Sequence, residues 1–296
     1  MQSLLEHLES AQGHVLLAIG GSWITPHRSP TSDRDLFAVV EDGFMDPMRR
    51  VIAGIPKTDL EARDRSWLDR IVGELLAFEV SINAGPSTFS FWDLRFLARV
   101  ATGQVLVPHD VMAEQVASVE RPLQEALAVY LSSYVLSLYE DMIGFLLHDR
   151  REEALAQAGE LCQRACLLAL LQSRLSDPSP KWALAMVRES GSARLQRASA
   201  DLFQMLGSYQ RYEPQAWIRA LLNGVNRVIA VGMLDRLQTT AAPGPNGVST
   251  PTLQSQKEMP SYCLMGIPGF ATMLNTATGK IALCNVPFVE GLAALA

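Results

Sequence analysis

The chain has 296 residues, 48% of them apolar, which is ample for a packed core and excludes a disordered chain. Its 25 Lys and Arg against 31 Asp and Glu give a net charge of −6, which argues against general nucleic-acid wrapping but leaves room for a local phosphate pocket. Four cysteines (Cys162, Cys166, Cys263, Cys284) make no disulfide framework, and with scattered histidines they offer no zinc spacing.

The N-terminal residues lack a basic segment followed by an apolar run, so no secretory leader is expected. The most apolar stretch, 126–147, is broken by Glu140 and Asp141, so no membrane span is expected either. Both features point to a soluble, cytoplasmic protein.

Taken in chain order, residues 2–11 read as a short helix. His14–Ile19 (HVLLAI) reads as a buried strand ending at Gly20-Gly21, and Asp33–Val40 (DRDLFAVV) as a second strand. A helix is predicted over 59–74, capped by Thr58 or Asp59, and a third strand over Leu75–Ile82 (LLAFEVSI). From about residue 111 the apolar spacing becomes helical, with helices over 121–147, 151–175, 181–190, 194–207 and 214–237. Cys162 and Cys166 read as buried small hydrophobes on one of them. The Pro-, Gly- and Ser-rich stretch 239–260 reads as a linker, and Phe270–Val286 as a hairpin turning at Asn275–Gly279. The predicted fold is α+β: a small mixed-sheet domain over 1–110, an all-helical domain over 111–238, and a linker and docking tail over 239–296. The tail is too short for a solitary fold, so it packs on its own domains or on a second copy in a homodimer.

Chemistry concentrates at Gly21-Ser22 and Asp33-Arg34-Asp35, which form the pattern G-S-x10-D-x-D. The glycines let backbone amides approach a phosphate, and Ser22 adds a hydroxyl donor. Asp33 and Asp35 stand two apart on a strand, so both carboxylates share one face and suit a bridging Mg²⁺. Glu79, flanked by Phe78 and Val80 in the expected third strand, is a costly carboxylate unless it is paired, metal-bound or wet. Three such carboxylates on neighbouring strands could hold two metals about 3.5–4 Å apart for in-line displacement at phosphorus.

On these residues the first third of the chain resembles the DNA polymerase beta-like nucleotidyltransferase superfamily, in particular its aminoglycoside and minimal branches. The resemblance implies transfer of a nucleoside monophosphate from an NTP, such as ATP, to an acceptor hydroxyl with release of pyrophosphate. It implies that Gly21 and Ser22 hold the triphosphate and that Asp33, Asp35 and Glu79 hold magnesium. Where many relatives carry Arg-Gly after the serine, this chain has Thr25-Pro26, leaving Arg28 or His27 to take that part. In aminoglycoside-type relatives an acid early in the helical domain is the general base. Glu140 and Asp141 stand in a comparable place, with Asp141 preferred and Glu160 a weaker candidate.

Arg95 and Arg99, four apart on one helical face, either neutralise phosphates or face solvent; Trp67 and Trp92 are core or stacking residues. The expected partners are an NTP and a small-molecule acceptor. The competing functions are an AMP-transferase acting on a partner protein, as in toxin–antitoxin pairs, and a nucleotide-binding regulator without catalysis.

Overall fold

The unbroken apolar run Val15–Gly20 forms β1, a strand buried along its whole length. β2 (Arg34–Val40) lies antiparallel to it, and β3 (Thr58–Asp64) pairs parallel to β2 in the register Asp35 with Asp59 and Phe37 with Glu61. β4 (Gln104–Val107) closes the other edge antiparallel to β1, so the sheet order is β3-β2-β1-β4. A computed structural model gives this architecture and describes residues 13–24, 32–53, 55–80, 89–239, 262–265, 272–275, 281–283, 289–290 and 293–294.

Strand alternation gives the sheet two unlike faces. Val15, Leu17 and Ile19 of β1 and Leu36, Ala38 and Val40 of β2 point one way and pack with Met48 and Ile52 of helix α1 (Met45–Ala53). On the opposite face lie Leu16, Ala18 and Gly20 of β1, Asp35, Phe37 and Val39 of β2, and Asp59, Glu61 and Arg63 of β3. Helix α3 (Phe91–Thr102) covers this second face, with Phe96 edge-on to Phe37 at 6.2 Å.

Two predictions fail in this region. The expected helix 59–74 is split: Thr58–Asp64 is strand β3, and only Arg65–Leu76 is helix, α2. The segment T-D-L-E-A-R-D alternates with a period of two, Leu60 and Ala62 facing the apolar core while Asp59, Glu61 and Arg63 face the other way. The helix begins only where the Asp64 carboxylate accepts from the Trp67 backbone N–H at 2.8 Å, a side-chain N-cap. The expected strand Leu75–Ile82 is also overturned. Leu75 completes the buried stripe Leu68, Ile71, Val72, Leu75 of α2, Ala77 caps that helix, and 78–80 have no regular structure. Ser81 and Ile82 lie outside the described residues.

Short helix α4 (Asp110–Ser118) leads into α5 (Glu120–Leu147), followed by α6 (Arg151–Leu171), α7 (Ala183–Arg188), α8 (Ala193–Gly207) and α9 (Pro214–Thr239). α5 to α9 match the helices read from the sequence within a few residues at each end, whereas α4 was not among them. α6 and α9 approach closely at Gly232, where a Cβ would press into the backbone of Ala169. Cys162 and Cys166 are buried on α6 as expected; burial raises both thiols, Cys166 to about 11.

The predicted hairpin is present as β6 (Thr272–Asn275) against β7 (Ile281–Leu283), and a further strand, β5 (Tyr262–Met265), joins it in the order β5-β6-β7. β5 packs on α9 of its own chain: the buried Asn226 amide oxygen accepts from the Leu264 N–H at 2.9 Å, and its NH₂ donates to the Tyr139 hydroxyl at 3.3 Å.

The architecture is therefore mixed α+β, with a small mixed sheet and a predominance of helix. The chain divides into two compact units. One holds the described residues up to Glu79, those from Phe89 to Ala126, and Leu175–Asp177; the other holds Val80, Leu127–Arg174 and the described residues from Pro178 on. No helix among the described residues is long and apolar enough to cross a membrane. The expected helix 2–11 and residues 240–260 of the expected linker lie outside the described residues.

Candidate functional site

At its end β1 gives way at once to a single 3-10 turn, Gly21–Ile24. Gly21 has φ +62°, and a Cβ built on it would run into the Asp35 carboxylate. Only glycine satisfies both conditions, the left-handed backbone and the close approach. Gly20 and Asp35 are register partners across β1 and β2. The glycines of the G-S-x10-D-x-D pattern therefore lie against its second aspartate.

Asp35 is half-buried near the start of β2, and Asp33, which just precedes the strand, is exposed. Ser22 belongs to the 3-10 turn through its backbone, while its side chain lies outside the described residues, as do Arg28 and His27. Glu79 does not take the place expected of it. It is exposed, three residues past the end of α2, and belongs to no strand. The carboxylates that do lie on the strand beside Asp35 are Asp59, its register partner, and Glu61, two residues further along on the same face. Reading T-D-L-E-A-R-D as an alternating segment would have found them.

Three arginines, Arg63, Arg95 and Arg99, border this face; Arg34, of the opposite strand parity, stacks over Trp23 with its guanidinium 5.1 Å from the ring centroid. Arg63 donates to Glu61 at 3.3 Å and lies 5.0 Å from the centroid of Phe96. Arg99 pairs with Asp177 at 3.3 Å, both largely shielded from solvent, and lies over Phe37. Arg95 lies over the exposed Trp92 ring at 4.7 Å. Burial and the like charge of Arg99 hold Arg95 below its ordinary value, against the pull of Glu61, Asp177 and Asp35. The two arginines read as either phosphate ligands or a solvated face are thus partly buried beside the acidic strands. Trp67 is a packing residue, edge-on to Phe96 at 5.1 Å, with its indole N–H donated to Asp93 at 3.0 Å.

No protein-family model matches the chain, and no curated protein or solved structure matches it either.

Asp35, Asp59 and Glu61 are hard oxygen donors on one face, backed by a glycine wall, and in kind they fit a divalent cation such as Mg²⁺. Among the described residues, however, no three Asp, Glu, His or Cys side chains are drawn round a common point.

The remaining candidates belong to the helical unit. Glu140 and Asp141 are adjacent and exposed on α5. The charge of Glu140 adds to burial in raising the Cys263 thiol. Glu160 on α6 accepts from the Tyr134 hydroxyl at 2.9 Å and pairs with Arg164 at 3.2 Å; burial and that hydrogen bond raise the Tyr134 phenol. A cavity of about 350 Å³ in this unit is lined by Phe145, Asp149, Arg151, Glu213, Ile218 and Arg219, among others, and contains none of the predicted site residues.

Proposed function

We propose that the chain is a Mg²⁺-dependent nucleotidyltransferase that moves a nucleoside monophosphate from an NTP, with ATP the first to test, to a hydroxyl of a small-molecule acceptor. The observation that carries this reading is the seating of the Asp35 carboxylate against Gly21, on a sheet face that also bears Glu61. The end of β1 and the start of β2 meet as in any antiparallel pair; what supports the reading is the kind of residues that meet there, a glycine no other residue can replace and a carboxylate suited to a divalent cation. The sequence resemblance to the polymerase beta-like superfamily supports the same reading.

In this proposal the first unit is the nucleotide unit. The backbone of Gly21 and Ser22 carries the triphosphate, and Asp33 and Asp35 hold magnesium with Glu61 in place of the expected Glu79. Magnesium, when bound, neutralises charge developing on the phosphate oxygens. The resemblance implies that an acid early in the helical segment, Asp141 first, takes the proton of the acceptor hydroxyl. The acceptor oxygen forms the new bond to the α-phosphorus, the bond to the bridging oxygen breaks, and pyrophosphate leaves with the displaced electron pair.

The test is incubation with Mg²⁺ and each labelled NTP, offering in turn a panel of small hydroxylated acceptors and a cell lysate. Pyrophosphate release with label on a small molecule, lost in Asp35→Ala, is the expected outcome. Label on a protein band would make the chain an AMP-transferase acting on proteins. Nucleotide binding without pyrophosphate release from any acceptor would leave only a regulator.

A further inference from the structure

The cavity of about 350 Å³ in the helical unit has no part in the proposed nucleotidyl transfer, and its volume is that of a small-molecule pocket. It lies where the end of α5 meets the starts of α6 and α9. Buried Ile218 and half-buried Phe145 supply its apolar floor. Asp149, Arg151 and Glu213 are exposed at its mouth, and Arg219 is half-buried in its wall. Arg150, whose guanidinium lies 5.3 Å from the Phe145 centroid, is paired with Glu153 at 2.7 Å and braces the ring. Two acids and two arginines thus border one space above an apolar floor.

Stability alone accounts poorly for two of these residues. Asp149 has φ +54°, and the Arg150 N–H reaches back past it to the Phe145 carbonyl at 2.8 Å. It fills the left-handed position that ends a helix, which glycine takes without strain. Its carboxylate accepts from Arg151 at 2.8 Å, but both side chains are more than half exposed, and such a surface pair offsets little. Glu213, the residue before α9, forms no ion pair among the described residues, although its charge acts on Arg151.

We propose that this cavity binds a small zwitterion with an apolar body, of the α-amino acid class. A ligand of one sign meets a like charge on the cavity wall whichever way it enters. A ligand carrying both an ammonium and a carboxylate finds acids for the one and arginines for the other. The ammonium faces Glu213 and Asp149, the carboxylate faces Arg219, and the side chain rests on Phe145 and Ile218. None of these residues belongs to the proposed nucleotidyl-transfer site, so the two readings stand or fall separately.

Three probes that share one apolar body test it: L-phenylalanine, 2-phenylethylamine, which lacks the carboxylate, and 3-phenylpropionate, which lacks the ammonium. Binding of each to the full chain is measured by calorimetry at pH 7 and low salt, where exposed charges are least screened. Phenylalanine is expected to bind about fivefold more tightly than either analogue. Glu213→Gln is expected to remove most of its advantage over 3-phenylpropionate. Ala216→Trp, at an exposed position lining the cavity, is expected to fill it and abolish binding while the thermal midpoint holds. If no probe binds, or if either singly charged analogue binds as well as phenylalanine, the zwitterion site is overturned. Wild-type binding by Ala216→Trp places the ligand elsewhere and overturns it too. Should Ala216→Trp fail to fold, Glu213→Gln decides: an undiminished preference for phenylalanine over 3-phenylpropionate overturns the proposal.

Discussion

The two faces of the four-stranded sheet are built from the same strands and serve opposite ends. On the α1 side every inward residue of β1 and β2 is apolar, from Val15 to Ile19 and from Leu36 to Val40, and the packing is sealed. On the α3 side the same strands present Gly20, Asp35 and Phe37, β3 adds Glu61 and Arg63, and α3 lays Arg95 and Arg99 over them. The first face spends its residues on burial; the second holds charges in partly shielded positions, where electrostatics is stronger than in bulk water. Apolar burial and charge are thus divided by strand parity, one residue apart along β2.

Adjacent residues of β2 give the sharpest way to break that division. Asp35→Asn is expected to lower the rate of pyrophosphate release by on the order of 10²–10³-fold while leaving the thermal midpoint nearly unchanged. Leu36→Ala, at a fully buried position of the opposite face, is expected to cost about 2–5 kcal/mol in urea unfolding. If Asp35→Asn unfolds the chain, or Leu36→Ala is neutral, the two faces are not divided as described. Gly21→Ala tests the junction between strand and turn. The left-handed backbone and the contact with Asp35 are expected to cost about 1–3 kcal/mol of stability and to abolish binding of the NTP measured by calorimetry. Wild-type nucleotide affinity in Gly21→Ala would separate the glycine from the site.

How far the sequence foretold these faces depends on how local each signal is. β1 and β2 were legible because unbroken apolar runs admit little but a buried strand, and the approach of Gly21 to Asp35 follows from two motifs at the ends of paired strands. β3 was not legible by the same means. Its only apolar residues are Leu60 and Ala62, and its strand character depends on parallel pairing with β2, which no local pattern announces. The misplaced Glu79 has a similar origin. LLAFEVSI is rich in strand-forming residues, but Leu75 was already committed to the buried stripe of α2. β5 is four residues long and is held by an asparagine 38 positions away. Arg95 and Arg99 were visible as a helical pair, but their neighbours come from β2, β3 and the 175–177 segment, so their role is a product of the tertiary fold.

The helical unit offers a contrast at smaller scale, since its buried polar groups are structural. Asn226 holds both the Leu264 N–H and the Tyr139 hydroxyl. Asn226→Ala leaves that buried amide without its acceptor, at an expected cost of about 1–3 kcal/mol. In a Cys284→Ser background the native chain is expected to resist thiol reagents at pH 8, because Cys162, Cys166 and Cys263 are buried and their thiols raised. Asn226→Ala should speed labelling of Cys263 alone. Equal acceleration at Cys162 and Cys166 would mean that Asn226 supports the whole helical core and not only the docking of β5.

The smallest expected effect is at the start of α2, where β3 with its charged side chains passes into an amphipathic helix. The Trp67 N–H and the Ser66 hydroxyl hold the Asp64 carboxyl below its ordinary value of 3.8. A carboxyl depressed in the folded state stabilises it fully above the unfolded value, and that contribution fades as pH falls through the folded one. The carboxyl is well exposed, so the cap and not a buried charge sets the size of the effect. Asp64→Ala is expected to cost about 1 kcal/mol at pH 7 and progressively less below about pH 4. Asp64→Ser, which keeps a capping oxygen without a titrating group, should recover most of that stability and show a weaker acid dependence. If Asp64→Ala and wild type lose stability in parallel through the acid range, the end of β3 is fixed by its pairing with β2, and the cap does not set where strand gives way to helix.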